Sequence, residues 1–115
     1  MSSEPLPRDP FEALGDQQRR SIVELLAVRP QSVRQLADQL PISRPAVSRH
    51  LRLLKEAGLV ADEAVGTRRL YRLHPAGAEA VQRYLERVWG DAIARFRLVA
   101  ENTAPDRDAR REGQL

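Results

Sequence analysis

The 115-residue sequence contains no cysteine. It therefore has no disulfide, no thiolate ligand for a metal and no cysteine nucleophile, which excludes several classes of enzyme and redox sensor. Aromatic residues make up only 4% of the chain, and no apolar run approaches the roughly 18 residues that a membrane-spanning helix needs. The opening segment MSSEPLPRDP lacks the basic and then apolar layout of a signal peptide. We expect a cytoplasmic protein with no membrane partner and a small aliphatic core.

Lysine is nearly absent too, and the basic residues are unevenly placed. Lys55 is the one lysine among 19 basic residues, and the net charge is +3. Residues 40–74 carry seven basic and three acidic side chains, whereas the rest of the chain carries 12 basic and 13 acidic ones. A basic segment in a balanced chain is typical of a protein that binds a polyanion. The charges alone fit a solvated face equally well, so the local structure has to decide.

The length suits one domain, and its first half has the pattern of four helices. Apolar residues recur three and four apart in segments that begin and end at good caps or at prolines. These segments are a short helix around Phe11 that ends near Gly15, one from Asp16 to about Val28, one from Ser32 to Leu40, and one from Ser43 to Gly58. Pro45 fits the first turn of the fourth helix, where the missing N–H would have no intrahelical partner.

Beyond Gly58 the apolar period changes. Segments 59–65 and 68–73 are typical of short strands, and the Gly66-Thr67 pair between them suits a tight hairpin. A long helix is predicted from Pro75. The predicted fold is mostly α with a β-hairpin wing, a winged helix-turn-helix over residues 10–101. A flexible arm over residues 1–9 and a disordered tail over residues 102–115 flank it.

The fourth helix separates apolar from basic residues. At 100° per residue, Val47, Leu51 and Leu54 form a core stripe. The other arc is cationic or small, and consists of Arg44, Pro45, Ser48, Arg49, Arg52, Lys55 and Glu56. Long arginines beside small residues would let this helix enter a major groove and contact base edges and phosphates. Because a solvated helix face usually mixes charge signs, the pattern favours DNA binding.

The hairpin extends this basic surface. Arg68, Arg69 and Arg72 flank the predicted tip, as in a wing that lies along a phosphate backbone or reaches a minor groove. Strand alternation puts Arg68 and Arg72 opposite Arg69, so we expect at least one of them to be structural. With Ser32 at the start of the third helix, the predicted DNA-binding residues are Ser32, Arg44, Pro45, Ser48, Arg49, Arg52, Lys55, Arg68 and Arg69.

Several stretches resemble one bacterial family. ISRPAVSRHLRLLKEAGLV followed by GTRRLYRL is similar to the recognition helix and wing of the ArsR-type winged-helix repressors, and FEALGDQQRRSIVELLA resembles their first two helices. The resemblance covers about residues 10–100. It implies a homodimer that pairs through its first and last helices, binds an inverted-repeat operator in double-stranded DNA and represses transcription. Pro41 stands where many members have glycine, which implies an altered turn.

The last predicted helix carries an apolar stripe longer than a small domain can easily bury by itself. A partner copy would cover this stripe and the apolar residues of the first helix. The predicted dimer interface comprises Phe11, Leu14, Val81, Leu85, Val88, Trp89, Ala92, Phe96 and Val99. Trp89 and Phe96 are also compatible with a place in the core or in the wall of an effector pocket.

Metal ligands are scarce in this sequence. Many ArsR-type members sense metals through cysteines near the third helix or through His and Asp on the last helix, but the histidines here are only His50 and His74. His50 lies beside the core stripe, which indicates a packed residue, and His74 is predicted to end the strand or cap the last helix. We expect no metal site, no cofactor and no metal response, and the sequence does not identify a small-molecule effector.

No catalytic pattern is found either. The chain lacks a nucleophile elbow, a phosphate-cradling glycine loop and a histidine–carboxylate pair at a meaningful spacing, so we expect that it is not an enzyme. The prediction is a sequence-specific DNA-binding transcriptional regulator. The alternative is a winged-helix module whose arginines meet an acidic protein partner. Salt-dependent binding to duplex DNA would discriminate between the two.

Overall fold

A computed structural model describes residues 8–102. Its elements, in chain order, are α1 (Pro10–Ala13), α2 (Gln17–Val28), α3 (Val33–Ala37), α4 (Arg44–Glu56), β1 (Val60–Val65), β2 (Arg68–Leu73) and α5 (Pro75–Asn102). This order confirms the predicted helices, hairpin and final helix. The chain divides into two compact units, one that ends at Val81 and one that begins at Gln82.

The core of the first unit is aliphatic. Its buried members come from four helices, β1 and the link between α4 and β1, and are Ala13, Ile22, Leu26, Leu36, Val47, Leu51, Leu54, Ala57, Leu59 and Val60. Val47, Leu51 and Leu54, the predicted stripe of α4, each have 0% exposure. Burying an aliphatic side chain of this size stabilises a fold by about 1.5–3 kcal/mol. The core therefore fixes which face of α4 points to solvent.

Side-chain caps set the helix starts in this unit. The carboxylate of Asp16 accepts a hydrogen bond from the backbone N–H of Arg19, and the hydroxyl of Ser43 accepts one from that of Ala46. Ser32 and Gln35 form a reciprocal capping box at the start of α3. The three caps predicted from sequence are thus confirmed.

The third helix is shorter than predicted, since α3 ends at Ala37 and not at Leu40. The N–H groups of Gln39 and Leu40 bond to carbonyls three residues back, at 3.0 and 3.4 Å. This tighter pattern is that of a 3₁₀ turn, which commonly ends an α-helix. The turn carries the chain through Pro41 to the cap of α4.

The hairpin has the predicted tip. Gly66 lies in the left-handed region at a φ of 65°, which a two-residue turn of this kind favours. In the antiparallel register Val60 lies opposite Leu73, Asp62 opposite Tyr71, and Ala64 opposite Arg69. These residues share one face of the hairpin, with Val60 buried at its base.

The backbone of Gln31 forms an isolated antiparallel bridge to β2, which the apolar pattern does not predict. Its N–H and carbonyl bond to Tyr71 at 3.0 and 2.8 Å. Its side chain is buried at 1% exposure, donates to the Leu25 carbonyl at 2.8 Å and accepts from the Gln39 amide at 2.6 Å. The backbone bonds tie the link between α2 and α3 to the wing, and the buried amide is bonded at both ends.

The start of the domain extends two residues into the predicted arm. Asp9 caps α1, and the Arg8 guanidinium contacts Glu56 at 3.1 Å and Glu12 at 2.8 Å. Residues 1–7 and 103–115, which hold the rest of the predicted arm and tail, lie outside the described residues. Asn102, predicted to begin the tail, is the last residue of α5.

The first turn of α5 packs closely against the end of α4. His74 Nδ1 accepts a hydrogen bond from the Ala76 N–H, which confirms its predicted capping role, and the Gly77 N–H bonds to the Gly58 carbonyl at 2.7 Å. A Cβ at Gly77 would lie 2.6 Å from the Ala57 carbonyl oxygen and 2.7 Å from a methyl of Leu59. Only glycine fits this approach.

From Gln82 onward the described part of the second unit is one continuous helix, the remainder of α5. Most large apolar and aromatic side chains along it are exposed, from 37% at Tyr84 to 74% at Phe96, and Ile93 is half-buried. Despite its length, neither α5 nor any other helix in residues 8–102 is apolar enough to cross a membrane.

Gly77→Ala should lower the free energy of unfolding by about 1–3 kcal/mol, because the added methyl displaces the backbone that links α4 to β1. Gly90 provides the matched control, since a Cβ there has no neighbour within 4 Å. Gly90→Ala should raise stability by about 1 kcal/mol through helix propensity. Urea unfolding at one fixed protein concentration compares them. Equal effects at the two glycines would contradict the close packing.

Candidate nucleic-acid interface

The outer face of α4 is built from residues that the sequence pattern placed there. All six predicted DNA-binding residues of this helix are exposed: Arg44, Pro45, Ser48, Arg49, Arg52 and Lys55. Glu56, at the edge of the arc, is half-buried and pairs with Arg8. The acidic residue of this face is thus neutralised, and the remaining charge is positive.

Four arginines of this region make no ion pair with a carboxylate of the described residues. Within residues 8–102, Arg44, Arg49, Arg52 and Arg68 take part in no ion pair. A guanidinium without a protein partner keeps its five donors for a ligand, and its planar fork matches both a phosphate and the edge of guanine. Three of these arginines lie on α4 and one at the start of β2.

Lys55 and Arg69, which also belong to the predicted DNA-binding set, both contact one carboxylate of β1. Lys55 Nζ lies 2.8 Å from Asp62 Oδ1, and Arg69 Nη1 lies 2.8 Å from Asp62 Oδ2. The hydrogen bond from Lys55 has the largest effect on the pKa of Asp62 and lowers it. The hydrogen bond from Arg69 lowers this pKa further, and burial opposes both. The carboxylate therefore stays ionised and holds both cations.

The other two wing arginines lie on the opposite face of the hairpin, as strand alternation predicts. Arg68 pairs in register with Val65 and Arg72 with Ala61, whereas Arg69 pairs with Ala64. Arg72 Nε lies 3.5 Å from a carboxylate oxygen of exposed Glu63. Of the three wing arginines, Arg68 alone makes no ion pair with the described residues.

A cleft of about 480 Å³ lies between the start of α3 and the wing. Its lining residues are Ser32, Val33, Arg34, Gln35, Arg68 and Arg69. The Ser32 hydroxyl accepts the capping hydrogen bond from Gln35, so its own proton remains available to donate. Arg34 is an exposed cation that the predicted set of DNA-binding residues does not include. The sequence did contain a signal for Arg34, because it lies two residues after the cap Ser32, which the predicted set includes.

Comparison with known proteins joins these features to one family. Residues 16–62 match the model of the bacterial regulatory proteins of the arsR family. The HTH-type transcriptional regulator Rv2034 of Mycobacterium tuberculosis is 44% identical over 106 residues, which cover 92% of this chain and 99% of that regulator. This chain belongs to the ArsR family. It is a DNA-binding transcriptional regulator.

Solved structures agree with the ArsR-family fold. A crystal structure described as a possible transcriptional regulator for arsenical resistance has a TM-score of 0.65 and 41% identity, over 81% of this chain and 95% of that one. The winged helix-turn-helix DNA-binding domain of Mb0332 from Mycobacterium bovis, a homodimer, has a TM-score of 0.56 and 30% identity, over 76% and 79%. The winged helix-turn-helix prediction is confirmed, and the relatives are regulators and not enzymes.

Behind the exposed arc of α4 in this ArsR-family protein, Arg19 connects three helices. Its Nε donates to the Ala13 carbonyl at the end of α1 at 2.7 Å, and its Nη1 lies 3.3 Å from His50 Nδ1 on α4. Burial lowers the pKa of His50, Arg19 and Arg49 lower it further, and Asp16 opposes them. His50 is therefore a packed, neutral residue at neutral pH. Residues 8–102 contain no group of three or more His, Asp or Glu side chains that could hold a metal ion.

The predicted dimer residues fall into two groups. Leu14 and Val81 are half-buried, and Leu14 packs against the core. The others are exposed: Phe11, Leu85, Val88, Trp89, Ala92, Phe96 and Val99. On α5, the Trp89 ring meets the Tyr84 ring edge to face, with centroids 6.1 Å apart. The exposed group contains most of the stripe on α5.

Stability should fall as the pH drops below 6.5 because of His50. Its folded pKa lies below its usual value of 6.5, so the unfolded chain binds more protons in this range. The stabilisation is present in full above pH 6.5 and is lost as the pH falls toward the folded pKa, by at most about 1.4 kcal/mol per pH unit for one proton. Urea unfolding of wild type and His50→Gln, from about pH 7.5 to about pH 5, measures it. The wild type should lose more stability than the variant, and parallel curves would contradict the assignment.

Proposed function

We propose that this protein is a dimeric repressor that reads an inverted-repeat operator with α4. The observation that carries the proposal is the exposed arc of α4, on which Arg44, Arg49 and Arg52 make no ion pair within the described residues. Pro45 and Ser48 are small and exposed on the same arc, which permits close approach of the helix to the floor of a major groove. The proposed readout is bidentate hydrogen bonding from arginine to guanine.

We assign different roles to the arginines according to their place. Arg49 and Arg52, both exposed on the outer arc of α4, contact base edges. Arg44, in the first turn of α4, and Arg34 and Arg68, which line the cleft beside α3, contact phosphates. The Ser32 hydroxyl donates to a phosphate in the same cleft. Phosphate contacts position the protein on the duplex, whereas base contacts supply the specificity.

The dimer is proposed from the exposed stripe of α5. Phe96 is 74% exposed and Val99 62% exposed in one copy of the chain, and apolar residues at this spacing are typical of a helix that packs on a partner. A two-fold pair would present two copies of α4 to successive major grooves about 34 Å apart. The homodimeric state of the Mb0332 domain supports this proposal.

Metal independence is proposed from the ligand inventory. The chain has no cysteine, and within residues 8–102 no three His, Asp or Glu side chains are grouped so that they could hold a metal ion. Carboxylates without thiolate or imidazole partners make poor sites for transition metals.

Arg49→Ala and Arg52→Ala should each weaken binding to the operator by about 1–3 kcal/mol, because each removes a contact to a base edge. The operator is first selected from a library of random duplexes. Arg83→Ala is the matched control, since it removes the same charge from an exposed position on α5. Fluorescence anisotropy at fixed salt measures the affinities. Operator binding by the Arg49→Ala/Arg52→Ala double variant equal to that of the control would rule out α4 as the reading helix.

Phe96→Glu should dissociate the dimer, because it places an unpaired charge in the apolar seam. Ala94→Glu also introduces one negative charge into α5, but at 100° per residue it lies on the other side of the helix from Phe96. Sedimentation at micromolar concentration reports the state of each variant, and circular dichroism reports its helix content. A dimeric Phe96→Glu variant that still binds the operator would show that this stripe is not the interface.

Operator affinity should be the same with a chelator as with added zinc, nickel or cobalt. The measurement is anisotropy on the selected operator at constant ionic strength, with magnesium as the control for divalent charge. A tenfold response to a transition metal that magnesium does not reproduce, about 1.4 kcal/mol of coupling, would overturn metal independence and leave the reading helix untouched.

A further inference from the structure

A carboxylate lies between the two basic elements of the proposed DNA surface. Asp62 is on β1, on the face of the hairpin that also carries buried Val60 and half-buried Tyr71. Its side chain is only 9% exposed, whereas Lys55 and Arg69, which contact it, are each 56% exposed. An acidic group beside a surface for DNA would repel phosphates if it were left unpaired.

The two contacts of Asp62 reach different elements. Oδ1 is 2.8 Å from Nζ of Lys55 in the last turn of α4, and Oδ2 is 2.8 Å from Nη1 of Arg69 near the hairpin tip. Each oxygen therefore has its own cation, and one side chain connects the end of the reading helix to the wing. The other polar tie of the wing within residues 8–102 is the pair of backbone hydrogen bonds between Gln31 and Tyr71.

The neighbouring acid of the same strand is arranged in another way. Glu63 lies on the opposite face of the hairpin and is 59% exposed, and its one ion pair among residues 8–102 is with Arg72 of the same sheet, at 3.5 Å. A contact inside the hairpin cannot fix the hairpin against a helix. The two acids carry equal charge and differ in what they connect.

Resting on the proposed DNA binding, we propose that Asp62 is a positioning residue, which fixes the wing against α4 by holding Lys55 and Arg69. In this arrangement Lys55 and Arg69 act mainly through Asp62, and Arg68 is the wing cation left for phosphate. The cluster of three charges, which keeps a net charge of +1, holds the wing in one orientation as it approaches the DNA. Loss of the carboxylate would release two cations and the constraint together, so binding would become stronger on any duplex and less selective.

Asp62→Asn and Glu63→Gln test this proposal as a matched pair, because each removes one negative charge from β1. The measurement is the affinity for the selected operator and for a random duplex across a salt series. Asp62→Asn should steepen the salt slope on random duplex by one to two units, since each new phosphate contact adds about 0.9. Its preference for the operator should fall at least fivefold. Glu63→Gln should change that preference less than twofold, and Asp62→Glu, which keeps both cations paired, should restore it.

Two results would overturn the proposal. One is equal behaviour of Asp62→Asn and Glu63→Gln on both duplexes, since the carboxylate would then act only through net charge. The other is a salt slope on random duplex that falls by a full unit in Lys55→Ala and again in Arg69→Ala, as expected of cations that already contact phosphates.

A measurement without DNA separates this proposal from the proposed function. Hydrogen exchange should become faster at the wing amides of Asp62→Asn, including the Tyr71 N–H, and stay slow at core amides of α4. Unchanged exchange in the wing would overturn the positioning role even if the protein binds its operator. A wild type that does not distinguish operator from random duplex would defeat the proposed function, while faster wing exchange in Asp62→Asn would still support the positioning of the hairpin.

Discussion

The burial of one face of α4 is the constraint on which the rest of this structure depends. Val47, Leu51 and Leu54 are fully buried, and helix periodicity then leaves no choice about the direction of Arg49 and Arg52. Every such aliphatic side chain contributes about 1.5–3 kcal/mol on burial. The arginines contribute little to folding, so their exposed positions are free to serve a ligand.

The basic side chains of segment 40–74 form two groups, those that pair with a carboxylate and those that do not. Asp62 and Glu63 engage Lys55, Arg69 and Arg72, and the arginines of α4 and Arg68 are left without ion pairs among the described residues. The sequence alone does not show which cations are paired, because the charged partners meet only when β1 pairs with β2 and the hairpin packs on α4. Pairing therefore decides which cations are available to a polyanion.

Features set by local chemistry could be predicted from the sequence. The caps at Asp16, Ser32 and Ser43, the left-handed glycine at the hairpin tip and the apolar stripe of α4 depend on neighbours within four residues. The bridge of Gln31 to Tyr71, the contacts of Asp62 and the close approach of Gly77 to Leu59 could not, because each joins segments whose juxtaposition only the folded chain defines. The end of α3 at Ala37 is an intermediate case, in which a 3₁₀ turn precedes the helix-breaking Pro41.

Guanine methylation interference on the selected operator tests the central claim most directly, because N7 of guanine lies in the major groove where arginine would bind it. If two copies of α4 read the DNA, methylation should block binding at guanines in two half-sites about one helical turn apart on one face of the duplex. Arg52→Ala should remove the interference at one symmetric pair of guanines and leave the others. Interference confined to adenine N3 in the minor groove, or none at any guanine of a guanine-containing operator, would contradict the account.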